Sequence, residues 1–264
     1  MNKFYIQISL FLLSVFVYAN NEALATEPVT GENTKHQLRS RYATPEELYE
    51  KNKHRLCPGH NHTPAIKLMN EAVKQLEYHA TSKDGYKVYR QSPSDDISYY
   101  VKKFDDQTDI LKVNLNIYTS SQYNDIINRI WDPNGPNLFN KGTAKIMHVY
   151  NPNLVIISQL CNKDSKNYQK YFYALVSKVE ISENKTIIAM SSINLIDGNP
   201  STREHKNPIL KNVEPFNASL HPKDYITNEK YKQIYVNLAG YLIEKKGDDL
   251  EITYIESIEG HSSI

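Results

Sequence analysis

Three groupings of side chains in this 264-residue chain have types and spacings that bear on chemistry. Cys57-Pro-Gly-His60-Asn-His62 places a thiol and two imidazoles within six residues, the donor types that zinc takes. Zinc also requires a fourth ligand and a supporting second shell, and no neighbouring Cys/His motif supplies either. The segment reads as a polar loop between two helices, so no metal and no other cofactor is expected. A Ser/His/Asp hydrolase would need a nucleophile elbow, but the chain has no Gly-x-Ser-x-Gly and no strand–helix signal around His148, His205 or His221. Nor is there a glycine-rich phosphate loop, and no enzymatic activity is expected. The third grouping is Arg129-Ile-Trp-Asp-Pro133, which holds the single tryptophan of the chain. Trp131 stands where a helical pattern gives way to the turn Asp132-Pro-Asn-Gly-Pro136. Its ring either plugs the helix end against a sheet or meets a ligand, and the two roles are compatible.

The elements that must position Trp131 are legible from periodicity. Thr44-Pro-Glu-Glu47 is a helix start with Thr as N-cap, Pro at the first position and Glu at the third. Cys57-Pro-Gly59 ends that short helix. A longer helix begins at Thr63-Pro64, with Ala65, Ile66, Met69, Ala72, Val73, Leu76 and Ala80 on one face. Strand-like runs follow at Tyr86–Gln91, Ile97–Phe104 and Ile110–Tyr118. The helix Ser120–Trp131 has Tyr123, Ile126, Ile127 and Ile130 on its apolar side. Six further runs come after it: Ala144–Tyr150, Leu154–Cys161, Tyr171–Ile181, Thr186–Leu195, Gln233–Glu244 and Leu250–Ser257. An irregular excursion, 197–232, separates the last two from the rest. Leu154–Cys161 and Thr186–Leu195 are apolar on both faces, which predicts a sheet covered outside and facing an apolar interior.

Composition limits the partners. The 31 basic and 30 acidic residues nearly cancel, so no global field draws nucleic acid, and none is expected as a partner. The 20 tyrosines suit strands and half-wet cavity walls, although an Asn/Lys/Tyr-biased genome accounts for at least half of that signal. Residues 1–19 carry one charge, Lys3, and an apolar run too short to span a bilayer, which reads as a cleavable signal peptide. Val17-Tyr18-Ala19 and Ala23-Leu24-Ala25 are the candidate cleavage sites. Residues 20–59 read as a polar linker with the short helix in it, and 60–264 as the domain. Cys57 and Cys161 are too few for a disulfide framework.

Residues 60–257 resemble a START (steroidogenic acute regulatory-related lipid transfer) domain, and the whole chain resembles the fam-a group of secreted malaria-parasite proteins. The resemblance is carried by Ala72-Val-Lys-Gln-Leu-Glu-Tyr78 with Gly85-Tyr-Lys-Val-Tyr89, by Arg129-Ile-Trp-Asp-Pro133, and by Tyr171-Phe-Tyr-Ala-Leu175 with Lys185-Thr-Ile-Ile-Ala-Met190. It implies an α+β helix-grip fold, a curved antiparallel sheet with N-terminal helices around a tunnel that shelters one lipid. It further implies non-enzymatic binding and transfer of phospholipid, phosphatidylcholine above all, with transient contact to a membrane surface. In phosphatidylcholine-binding relatives the tryptophan of Trp-Asp helps cage the choline, and Trp131 stands at that position. A quaternary ammonium has no hydrogen-bond donor and is held by aromatic faces, Trp best. The alternative is a ligand-free secreted antigen or host-interaction module on the same scaffold. The resemblance also implies secretion, with the host cell or the parasitophorous vacuole as destinations; the string Gln37-Leu-Arg-Ser-Arg41 is not a clean export motif.

Two features depart from the family. Many START domains read Arg-Asp-Phe where this chain has Lys170-Tyr171-Phe172, so no headgroup role resting on that pair carries over. The family also ends in a long helix that lids the tunnel, and the expectation is a monomer once that lid is present. Here no helical pattern exists in Ile258-Glu-Gly-His-Ser-Ser-Ile264, which leaves either an incomplete product or an open cavity with exposed apolar walls. Counting alternate residues along the strands adds Met147, Gln159, Tyr171, Tyr173 and Asn237 to Trp131 as lipid-binding wall residues. A one-residue slip in any strand would move its set to the other face. His205-Lys206 with Lys211 are basic residues of the excursion that could touch a membrane surface.

Overall fold

The computed structural model describes residues 42–57, 62–92, 96–105, 108–117, 122–135, 142–163, 169–196, 204–226 and 231–259. The expected signal peptide, the candidate export string and the end of the chain lie outside these residues. Helix α1, Pro45–Asn52, starts with the capping box read from the sequence: the Glu47 amide donates to Thr44 Oγ1 at 3.2 Å, and the Thr44 amide donates to Glu47 Oε2 at 3.1 Å. Helix α2, His62–Thr81, buries Ala65, Leu68, Met69, Ala72, Val73, Leu76 and Ala80. Helix α3, Tyr123–Trp131, buries Tyr123, Ile126, Ile127 and Ile130 at helical spacing together with Trp131.

The strands are β1 (Lys87–Gln91), β2 (Ile97–Lys103), β3 (Asp109–Ile117), β4 (Gly142–Asn151), β5 (Leu154–Lys163), β6 (Gln169–Ser182), β7 (Lys185–Ser192), β8 (Asn194–Leu195), β9 (Asn217–Ala218), β10 (Tyr231–Gln233), β11 (Tyr235–Lys246) and β12 (Asp249–Glu259). Nine of them form one antiparallel path, β1-β2-β3-β12-β11-β7-β6-β5-β4, while β10 lies parallel to the start of β6. All nine strands read from periodicity are present. The excursion adds what periodicity could not show: β8 and β9 form a separate two-residue parallel pair, and Ile193 interrupts the run expected as a single strand. β1 and β4 end the path and do not pair with each other, so the sheet is open. Bulges near Val88, Ile146, Leu160, Glu180 and Val236 shift the register, and such shifts bend the strands that carry them.

Each face of the sheet has its own core. One face packs under α2 and includes Ile110, Met147, Ile156, Tyr173, Leu175, Ile187, Ala189, Leu238, Leu242 and Ile255. Gly240 lets the helix come close. Its φ is +146°, and a Cβ there would sit 2.0 Å from the Ile188 carbonyl oxygen and 2.7 Å from Leu76 Cδ1. The other face packs with α3 and with Leu48 of α1, and includes Val113, Leu115, Ile146, Val155, Ile157, Phe172, Val176, Ile188, Met190, Tyr241, Ile243 and Tyr254.

Residues 43–57, expected as part of a linker, are fastened to this structure at both ends. The Ala43 amide donates to Asp132 Oδ2 at 3.1 Å, and the Cys57 amide donates to the Val149 carbonyl at 2.9 Å. Arg55 reaches both the Met147 carbonyl and the Asp224 carboxylate. Cys57 and Cys161 are free thiols buried in the cores of opposite faces. The apolar residues of the α3 face that an open cavity would expose are buried, with Tyr241, Ile243 and Tyr254 at 1% exposure or less.

Candidate functional site

The Trp131 end of α3 builds the site. An extended residue, Asp132, stops the helix, its amide still donating to the Asn128 carbonyl at 2.9 Å. The Asp132 carboxylate then folds the turn back: Oδ1 accepts from the Asn134 amide at 2.8 Å and from its Nδ2 at 3.1 Å, while Oδ2 takes the Ala43 amide. A Cβ at Gly135 would fall 2.4 Å from the Arg129 carbonyl oxygen, so the tight return needs glycine. Trp131 thereby has a fixed position at the rim of the sheet. The Trp-Asp pair divides the work: Asp132 shapes the turn and ties down α1, and Trp131 faces the cleft.

That cleft is half open, with a cavity volume of ≈ 60 Å³. Trp131, Ile130 and the turn wall one side; Ala144, Ile146, Val155, Ile157, Gln159, Val176, Ile188 and Met190 of four adjacent strands wall the other. Gln159 is 1% exposed, and its Nε2 has no hydrogen-bond partner among the described residues. Elsewhere on the α3 face a carboxyl is fully enclosed. Burial pushes Glu256 up to about 8, although a hydrogen bond from the Tyr254 hydroxyl works in the opposite direction. Glu256 is therefore neutral at pH 7.

Of the wall residues read from the sequence, Trp131 and Gln159 line this cleft. Met147, Tyr171 and Tyr173 lie on the opposite face, against the α2 core, where the Tyr173 hydroxyl donates to the Asp224 carbonyl at 3.0 Å. Asn237 sits at the β11 bulge, with its Nδ2 near Ser257 Oγ at 3.4 Å and its carbonyl accepting from Asn207. The slip has a physical cause. β4 and β6 are apolar on both faces, so alternation marks two sets without saying which faces inward. Register would have decided it, because Gln159 stands directly opposite Phe172 and Ala144. That register puts Phe172, Ala174 and Val176 on the cleft side. His205, expected at a surface, is buried: its ring stacks on Tyr235 at 4.4 Å and its Nδ1 lies 3.1 Å from Glu259.

A second pocket of ≈ 480 Å³ lies between the end of β7, Leu68 of α2 and residues 204–216. It is roomier, but its buried amides are committed to the protein's own backbone. Asn194 pairs with both backbone groups of His205, and Asn207 donates to the Asn237 carbonyl while accepting from the Ile209 and Leu210 amides. The Trp131 cleft is smaller, yet it alone of the two joins an aromatic face to an uncommitted amide.

Among solved structures, human STARD10 superposes with a TM-score of 0.53 at 12% identity, over 73% of this chain and 68% of that one. Human StAR-related lipid transfer protein 5 gives a TM-score of 0.53 at 11% identity, over 77% of this chain and 86% of its own. The fold is START-like. At these identities the likeness is one of fold alone. No family profile and no curated protein matches the sequence. Within the START-like fold, α2 and α3 clasp the two faces of the sheet, and the Trp131 cleft opens on the α3 face. No helix among the described residues is long and apolar enough to cross a membrane.

Proposed function

We propose that this protein binds and transfers a phospholipid without catalysis, taking it up on the α3 face with its headgroup against Trp131. The observation that carries the reading is the Trp131 ring set into the wall of a mostly apolar cleft, 7% exposed and held by the Asp132 turn. The START-like neighbours support it at the level of fold, one of them titled a lipid transfer protein. Phosphatidylcholine is the ligand that the sequence resemblance implies, since its quaternary ammonium suits an aromatic face. Secretion through residues 1–19 and kinship with the fam-a group rest on the sequence alone and belong to the same proposal.

A cavity of ≈ 60 Å³ is far below the several hundred Å³ that drug-sized ligands occupy. Uptake of a diacyl chain therefore requires the cleft to widen. The fastening between Ala43 and Asp132 ties the segment before α1 to the Trp131 turn, and its release would be one part of that widening. The same small volume favours the second reading, a filled scaffold that serves as a secreted antigen or host-interaction module. Native mass spectrometry of the purified protein, with extraction of co-purifying lipid, separates the two. Under the carrier reading, Trp131→Ala loses about 1–2 kcal/mol of binding, roughly a five- to thirty-fold drop in phosphatidylcholine affinity, and Trp131→Phe keeps part of it. A folded Trp131→Ala protein that binds as well as wild type would reduce the residue to packing.

A further inference from the structure

Gln159 is the polar group of the Trp131 cleft that the fold does not explain. It sits in β5 among Val155, Ile157 and Cys161, all of which join the apolar core of the α3 face. Its own side chain lines the cleft and is 1% exposed. Its Nε2 has no partner among the described residues. A buried donor left unpaired destabilises the fold, whereas leucine in its place would only add packing. An amide kept there is set to meet an acceptor that the protein does not itself supply.

Charge narrows what that acceptor belongs to. Among the described residues lining the cleft there is no Lys, Arg or His. The single ionisable side chain in the lining is Asp132, whose oxygens accept from Ala43 and Asn134. An anionic headgroup entering there would give up its water, find no cation, and face a carboxylate. A lipid of zero net charge escapes that cost, and one of its ester or phosphodiester oxygens can accept from Gln159. A zwitterionic headgroup brings its own cation, for which the Trp131 face is the counterpart.

We propose that Gln159 is the hydrogen-bond anchor by which this cleft selects lipids of zero net charge, zwitterionic ones included, over anionic lipids. The proposal rests on the carrier reading given above and adds the class of ligand to it. Gln159 would act with Trp131, the amide on an oxygen and the indole on the cation, so that each contributes to holding one molecule.

The test is vesicle-to-vesicle transfer of fluorescent phosphatidylcholine and phosphatidylserine with matched acyl chains. Both are carried at trace level in the same phosphatidylcholine vesicles, so that surface charge does not differ. Wild type is expected to transfer phosphatidylcholine at least ten-fold faster than phosphatidylserine. Gln159→Leu is expected to bind phosphatidylcholine about five- to ten-fold more weakly while its melting temperature rises by a few degrees. A merely structural glutamine would not move those two readouts in opposite directions. Gln159→Asn, which keeps the amide on a shorter stem, should recover part of the loss. Equal transfer of the two lipids by wild type overturns the selectivity and leaves the carrier reading standing. Unchanged phosphatidylcholine binding by folded Gln159→Leu overturns the anchor. Transfer of neither lipid overturns the carrier reading, and the assignment of Gln159 falls with it.

Discussion

The two faces of the sheet are made by the same strands, residue by alternate residue, yet they are finished differently. Under α2 the helix presents small residues, Ala65, Ala72 and Ala80, and Gly240 strips the sheet of a side chain where Leu76 comes down. The buried bases there are partly matched, although His79 Nε2 has no hydrogen-bond partner among the described residues. Lys112 Nζ donates to the Ser82 carbonyl at 2.6 Å and lies 4.0 Å from the Tyr86 ring centroid, and His79 Nδ1 is 3.1 Å from the Tyr86 hydroxyl. Desolvation pulls Lys112 down to about 8 and His79 down to about 4. On the α3 face a bulky Trp131 meets branched and unbranched side chains without closing against them, and an amide and a carboxyl are buried in the apolar surround. One face is a structural core. The other sets an aromatic face beside an unpartnered amide in one cleft, an arrangement suited to something besides its own stability.

The sharpest way to break this comparison is at Gly240. Gly240→Ala forces a Cβ into the Ile188 carbonyl in a backbone region that L side chains avoid, and should cost roughly 4 kcal/mol or prevent folding, read by urea denaturation. Glu256 tests the α3 face by pH. Its folded pKa of about 8 stands above the ordinary value of 4.5, so its contribution is fully present below pH 4.5 and is lost as pH rises through 8. Glu256→Gln should therefore match or trail wild type at pH 4.5 and exceed it by on the order of 3 kcal/mol at pH 8. A third comparison adds methyl groups on each side of the sheet. Ala189→Val on the α2 face should cost about 1–2 kcal/mol by overpacking, whereas Val176→Leu, at the cleft, should be neutral or stabilising by roughly 0.5 kcal/mol. Equal costs would mean that the two faces are packed alike. Asp132→Ala should cost about 1 kcal/mol from the lost turn and the Ala43 tie, with faster amide exchange confined to residues near 43–48.

The elements were legible because their periods are clean. Thr44, Pro45 and Glu47 announce α1, the three- and four-residue spacing announces α2 and α3, and each of the nine path strands lies within a few residues of where alternation put it. The faces were harder to read. In β6 the run Phe172–Val176 is apolar at every position, so parity had no reference. The register of β5 on β6 also shifts between Leu160 and Lys163, so a count carried along the strand is thrown off by the bulge. Trp131 drew notice as the single tryptophan at a helix end, whereas Gln159 came from the same alternate-residue count that placed Met147, Tyr171 and Tyr173, which lie on the opposite face. Glu256 was passed over although parity marks it: Glu251 and Thr253 alternate onto one face of β12, and Glu256 falls with the buried Leu250, Ile252 and Tyr254 on the other. Its enclosure comes from strands distant in sequence.

The pairing of β3 with β12, Leu115 opposite Ile252 and Val113 opposite Tyr254, has a consequence for how the chain is made. The seam between the third and fourth strands of the nine-strand path joins the early meander to β12, the final strand in chain order. As the polypeptide leaves the ribosome, β1, β2 and β3 can form a meander early, but β3 keeps a bare edge until residues near 256 have emerged. Throughout that interval a long apolar strand waits without its second neighbour, a state prone to wrong partners. Non-local closure of this kind is slow, and translation speed and chaperone supply, rather than final stability, should govern the yield of folded protein.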